Sequence, residues 1–179
     1  MRDIFEILGI PRGFRVDPKL LEERHRELTR VLHPDRHAAG GAAARRMALE
    51  KTIEVNDAWR ILKDPSKRAG WMLKEKGIDL GETGSHASSK YLPPGFLLEV
   101  MERREAFDEL RAAKDTSKAA ALASDVKAER EATLEALARA FDDDDFEEAA
   151  RKLAVLRYQD RFLCEVRAFE DAMFEELHG

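Results

Sequence analysis

His33-Pro34-Asp35 places an imidazole and a carboxylate on either side of a proline, and His37 follows four residues after His33. An imidazole beside a carboxylate is raw material for general acid–base work, and two histidines four apart on a helix can share a metal ion. The sequence completes neither arrangement. No nucleophile or oxyanion donor accompanies the pair, Pro34 breaks the helix that would align the histidines, and no third ligand follows. A hydrolytic or metal centre is therefore not expected, and neither is a cofactor. Recognition is the remaining chemistry. Pro34 fixes the backbone, so His33 and Asp35 are held outward with little entropy left to lose on binding. Asp35 offers a carboxylate for bidentate contact with a partner arginine. Lys19, Arg26 and Arg30 on the preceding segment offer steering toward an acidic surface. Cys164 is the one cysteine, which excludes an internal disulfide and a cysteine-based zinc or iron–sulfur site. Its apolar neighbours mark it as an inert core thiol.

The elements that must position these residues are legible from periodicity and punctuation. A short helix over 3–8 carries Phe5 and Leu8 on one face and stops at Gly9 and Pro11. Asp17-Pro18 opens a second helix, Asp17 as its N-cap and Pro18 at the first helical position. Leu21, His25, Leu28 and Leu32 form its core-facing stripe, and Pro34 ends it near Leu32. A glycine-bearing loop leads to a long helix over about 42–62 and a short one over about 66–76. Residues 80–93 are rich in Gly and Ser without apolar period, which reads as a linker. Three helices follow: one from Pro94 to about 114, one over about 117–141 capped by Thr116 or Ser117, and one over about 144–177. The acidic turn 142–145 suits the N-terminus of the last helix. No strand-length alternation occurs. The expected fold is all-α, with helices over 1–79, a linker over 80–93 and a three-helix bundle over 94–179.

Charge divides along the same line. Of 179 residues, 31 are Lys or Arg and 36 Asp or Glu, a formal net charge of −5. Residues 1–79 hold 17 basic and 13 acidic side chains, net +4; the remaining 14 and 23 leave 80–179 at −9. That balance argues against nucleic acid or a membrane surface as partner and suggests two units with different partners. No run of about 18 apolar residues could span a bilayer, and Asp3 and Glu6 interrupt any signal-like start. A cytoplasmic protein is expected.

The order short helix, basic helix, His-Pro-Asp, long helix, Asp64-Pro65 resembles a J domain. So does the stretch Val55-Asn56-Asp57-Ala58-Trp59-Arg60-Ile61-Leu62-Lys63-Asp64-Pro65, and residues 1–79 are covered almost end to end. The resemblance implies a partner, the nucleotide-binding region of a DnaK-type heat-shock chaperone, whose ATP hydrolysis a J domain stimulates. His33, Pro34 and Asp35 would then trigger hydrolysis, and Arg26 and Arg30 would supply docking charge. His25 stands where J domains usually place an aromatic and reads as a core residue.

In the second half, Phe96, Val100, Phe107 and Leu110 recur at helical spacing as the bundle face, with Arg103 accommodated among them by snorkelling. Leu98 and Met101 lie on the far side beside Glu102, Glu105 and Glu109. They form part of a broad buried face, scattered surface apolar residues, or a docking patch for a protein client. The stretch Phe96-Leu97-Leu98-Glu99-Val100-Met101-Glu102-Arg103-Arg104-Glu105-Ala106-Phe107-Asp108-Glu109 is similar to the first bundle helix of the HscB (Jac-type) co-chaperones. Arg68-Ala69-Gly70-Trp71-Met72-Leu73 and Lys152-Leu153-Ala154-Val155-Leu156-Arg157-Tyr158 are similar to that family as well. The resemblance implies that the bundle binds an iron–sulfur cluster scaffold of the IscU type and delivers it to an HscA-like chaperone. Leu97, Leu98, Met101, Glu102, Arg104, Glu105 and Glu109 would form the scaffold patch, with Tyr158 joining from the last helix. Two departures stand out. Tyr158 replaces the Phe of the bacterial pattern and serves equally as a core residue, and the zinc-binding cysteine extension of mitochondrial relatives is absent. A J-domain protein with a different client is the alternative. Contact between the halves is expected, because Trp71, Met72 and Leu73 need cover beyond one short helix.

Overall fold

The computed structural model describes residues 2–33, 41–81 and 83–178. Every regular element among them is helical: α1 Ile4–Leu8, α2 Pro18–Leu32, α3 Gly41–Lys63, α4 Pro65–Glu75, α5 His86–Ser89, α6 Phe96–Ala112, α7 Thr116–Asp142 and α8 Phe146–His178. The chain divides into two compact units, Met1–Met72 and Leu73–Gly179, with α4 running through the division.

Within the first unit, α2 starts where Asp17 accepts a hydrogen bond from the Lys19 N–H and Pro18 occupies the first turn. Helices α2 and α3 pack antiparallel. Leu32 meets Thr52, whose hydroxyl donates to its carbonyl at 3.3 Å, while His25 lies beside Asn56. Helix α1 closes one side. Phe5, Leu8, Leu21, Val55, Ala58 and Leu62 form the buried core, with Leu28, Leu32, Trp59, Trp71 and Met72 packed around it. The Trp71 ring meets Phe5 edge-on at 5.9 Å, and the Arg12 guanidinium lies over both rings. Trp71 and Met72 thus find cover inside their own unit. Arg68 is buried and donates to the Leu62 carbonyl at the C-terminal end of α3, its guanidinium 5.0 Å from the Phe14 ring. A cation at that helix end satisfies an orphan carbonyl and the negative end of the dipole. Burial lowers its pKa, offset in part by the Asp64 carboxylate.

In the second unit, α7 and α8 form the main antiparallel pair, with alanines (Ala119, Ala123, Ala138, Ala149, Ala150, Ala154) buried along it. Small side chains let two helix axes approach closely. Phe107 of α6 is 2% exposed and meets Phe162 and Phe169 edge-on at 5.5 and 5.9 Å, which ties α6 to α8. The N-cap of α7 is Asp115, accepting from the Lys118 N–H at 3.0 Å, rather than Thr116 or Ser117. At the next turn Asp145 accepts from the Glu148 N–H at 3.0 Å, so one carboxylate of the acidic run opens α8 as expected. Arg103 reaches α7, where Glu129 takes its guanidinium at 2.8 Å.

The stretch 80–93 carries the short helix α5 and buries Leu80, Ser88 and Tyr91. It is tied to α8 by Arg157, which donates to the Gly81 carbonyl at 2.7 Å. Cys164 is exposed, contrary to the core thiol expected from its neighbours. Phe162 and Val166 beside it are buried, and an α-helix turns the position between them outward.

Candidate functional site

Two surfaces carry the residues singled out in the sequence. The first is the end of α2. His33 is its C-cap, exposed, with φ −58° and ψ 127°, the extended geometry that a following proline imposes. Pro34, Asp35 and His37 lie outside the described residues. Lys19, Arg26 and Arg30 are exposed on α2. His25 is half-buried, stacked on the Trp59 ring at 4.5 Å and 14°, with its Nε2 2.9 Å from the Asn56 Oδ1. The Lys63 ammonium sits 4.3 Å from the same indole. The His25–Trp59 stack fastens α2 to α3 as an aromatic would, in keeping with the reading of His25 as a packing residue. Among the described residues no group of His, Cys, Asp and Glu is arranged to hold a metal ion.

The second surface is built on α6. Gly95 occupies the N-cap with φ 83°, a conformation that glycine adopts without strain, and Phe96 then turns inward, 9% exposed. With Phe96 and Phe107 buried, the helical period places Leu97, Leu98 and Met101 outward, exposed by 47, 60 and 67%. Glu102, Glu105 and Glu109 are exposed along the same helix. Large side chains left this bare on a helix whose other face is packed form an apolar patch framed by acids.

Arg104 is exposed and points to α8, where the Glu165 carboxylate accepts from it at 2.8 Å. Arg161 donates to the same oxygen at 3.2 Å. Tyr158 is half-buried, its ring edge-on to Phe96 at 5.8 Å. With Val100, Arg104, Arg161, Phe162 and Glu165 it lines a small cleft of about 40 Å³. Tyr158 therefore packs against the base of α6 while part of its ring stays at the surface. The sequence reading missed Arg161 and Glu165. Their signal was the spacing Tyr158, Arg161, Glu165, three then four residues apart on one helical face.

No described helix is long and apolar enough to cross a membrane. Residues 3–71 match the DnaJ domain, and residues 92–167 match the family described as the HSCB C-terminal oligomerisation domain. The co-chaperone protein HscB homolog of Burkholderia multivorans is 33% identical over 164 residues, 92% of this chain and 91% of that protein. The homolog from Bordetella avium is 34% identical over 169 residues, 94% of this chain and 97% of that one. Among solved structures, the chaperone HscB from Vibrio cholerae superposes with a TM-score of 0.83 at 29% identity, over 96% of this chain and 99% of its own. The human co-chaperone protein HscB gives 0.82 at 29% identity, over 94% and 82%. The two helical units, and the sequence along nearly the whole of both, place the chain in the HscB family of J-domain co-chaperones.

Proposed function

We propose that this chain binds an iron–sulfur cluster scaffold protein of the IscU type through the α6 surface and delivers it to a DnaK-type, HscA-like chaperone in the cytoplasm. It acts without a cofactor or chemistry of its own. Residues 1–79 serve as the chaperone-facing J domain, 80–93 as connector and 94–179 as the client-binding bundle. The observation that carries this reading is the apolar trio Leu97, Leu98 and Met101, exposed on an otherwise packed helix and framed by Glu102, Glu105 and Glu109.

Each surface has a physical task. The trio supplies desolvation energy when a client covers it, and the surrounding acids and Arg104 set which client fits. Tyr158 contributes the apolar edge of its ring from α8. On the other unit, Arg26 and Arg30 steer encounter with an acidic chaperone surface. His33, Pro34 and Asp35 form a stiff trigger, with Asp35 offering a carboxylate for bidentate contact with an arginine of the chaperone. Joining both surfaces in one chain raises the effective concentration of client at the chaperone, so two modest affinities act as one.

The test is steady-state ATP hydrolysis by the cognate chaperone with wild-type chain and with His33→Gln, beside capture of the scaffold by each. Wild-type stimulation lost in the variant, with capture retained, is the expected result. Equal stimulation by both removes the trigger role. Stimulation without scaffold capture assigns the second unit to a different client.

A further inference from the structure

The ion-pair cluster beside Tyr158 reaches past the residues already placed on the client surface. Leu97, Met101 and Arg104 follow one another at spacings of four and three, so the apolar stripe on α6 ends in a guanidinium. That guanidinium leans onto α8, where Glu165 accepts from Arg104 at 2.8 Å and from Arg161 at 3.2 Å, both on Oε1. Two guanidiniums, each with five donors, converge on one carboxylate oxygen, and most of their donors remain unspent. The trio carries a net charge of +1. Arg104 and Arg161 keep side-chain exposures of 51 and 59%, while Glu165 between them is only 31% exposed. They flank the cleft whose wall includes Tyr158.

We propose that Arg161 is a further client contact. In this proposal Arg104 and Arg161 form a fork for one carboxylate of the client, and Glu165 is the positioning residue that holds the fork together. The proposal deepens the client reading above and rests on it. The charge pattern selects the occupant. Glu102, Glu105 and Glu109 repel an acidic group along α6, and Arg111 further along is paired with Asp108, so the fork with its net positive charge favours a client aspartate or glutamate. An attractive point at the end of an apolar stripe inside a repulsive frame fixes register, which apolar contact alone does not do. Bidentate guanidinium–carboxylate geometry adds direction to that choice.

Calorimetric titration of the full chain with an IscU-type scaffold tests this. Arg161→Glu weakens binding by roughly tenfold and Arg161→Lys by about threefold, as expected for partly exposed charge contacts. Glu165→Gln weakens binding in the wild-type background and has no effect once Arg104 and Arg161 are both alanine, a coupling that a purely structural role would not produce. One Asp→Arg or Glu→Arg change in the scaffold restores binding to Arg161→Glu. Thermal unfolding of every variant stays near wild type, since the cluster lies at the surface. If the wild-type chain binds the scaffold and Arg161→Glu binds it equally well, the fork is refuted and the client reading stands. If the wild-type chain does not bind the scaffold, the client reading falls and takes the fork with it.

Discussion

Replacing Leu98 and Met101 together by alanine separates binding from folding. Leu98 is 60% exposed and Met101 67%, so most of each side chain has no protein neighbour to lose. Surface truncations of this kind shift stability by no more than about 0.5 kcal/mol each. A client that covers them gains what folding left unused. Full burial of such a side chain is worth about 1.5–3 kcal/mol, and the exposed part therefore holds about 1–2 kcal/mol per residue. The double variant forfeits about 2–4 kcal/mol of binding, which is about 30- to 1,000-fold in Kd. Titration calorimetry with the IscU-type scaffold reads this, and circular dichroism melting reads the fold. Phe107→Ala is the contrasting control: at 2% exposure, with two aromatic rings against it, the truncation costs about 3–5 kcal/mol of stability. A double variant that melts like wild type and loses less than about threefold in affinity refutes the assignment of the patch.

Further outcomes follow from groups within each unit. Arg68→Met removes the donor to the Leu62 carbonyl and the cation beside Phe14, and destabilises the first unit by about 1–3 kcal/mol. Both tryptophans, Trp59 and Trp71, belong to that unit, so a lower urea midpoint in tryptophan fluorescence reports it, and an unchanged midpoint contradicts the role. In the second unit, the Lys118 N–H and then the Lys118 ammonium hold the Asp115 carboxyl below its usual range. Glu148 is lowered by Arg151 and Lys152, and Asp79 by the Gly81 N–H and Lys74. A depressed folded-state pKa means that the unfolded chain takes up the proton first. The contribution to stability is complete above the unfolded carboxylate range, near about 4, and is lost as pH falls through the folded value. Asp115→Asn keeps a capping acceptor but abolishes its titration, so it flattens the acid limb of the unfolding curve while changing neutral stability little. An acid limb as steep as wild type contradicts this assignment.

Much of the scaffold is readable because its signals are local. Asp17-Pro18 and Pro34 bracket α2 closely, since a capping carboxylate and two prolines leave the backbone few alternatives. The sequence left Leu98 and Met101 open between burial and exposure, because periodicity marks a face but not what covers it. The cap of α7 was assigned one or two residues late: Asp115, Thr116 and Ser117 are all competent acceptors, and spacing alone does not choose among them. Helix α5 has four residues and no apolar period to detect. Cys164 was misplaced because apolar neighbours in sequence are not neighbours on a helix. Arg161 and Glu165 drew no attention in the sequence, since the pairing of Arg104 with Glu165 spans 61 positions and exists only once α6 lies on α8.

In the proposed function, one chain couples a client to a chaperone. The most direct test of this coupling is steady-state ATP hydrolysis by the cognate DnaK-type chaperone with this chain alone, with IscU-type scaffold alone, and with both. The expected result is stimulation by the chain alone and a rate with both that exceeds the sum of the separate stimulations. In the Leu98→Ala/Met101→Ala variant the excess is lost and the chain's own stimulation remains. Absence of stimulation, or a rate that scaffold does not change, would contradict the coupling.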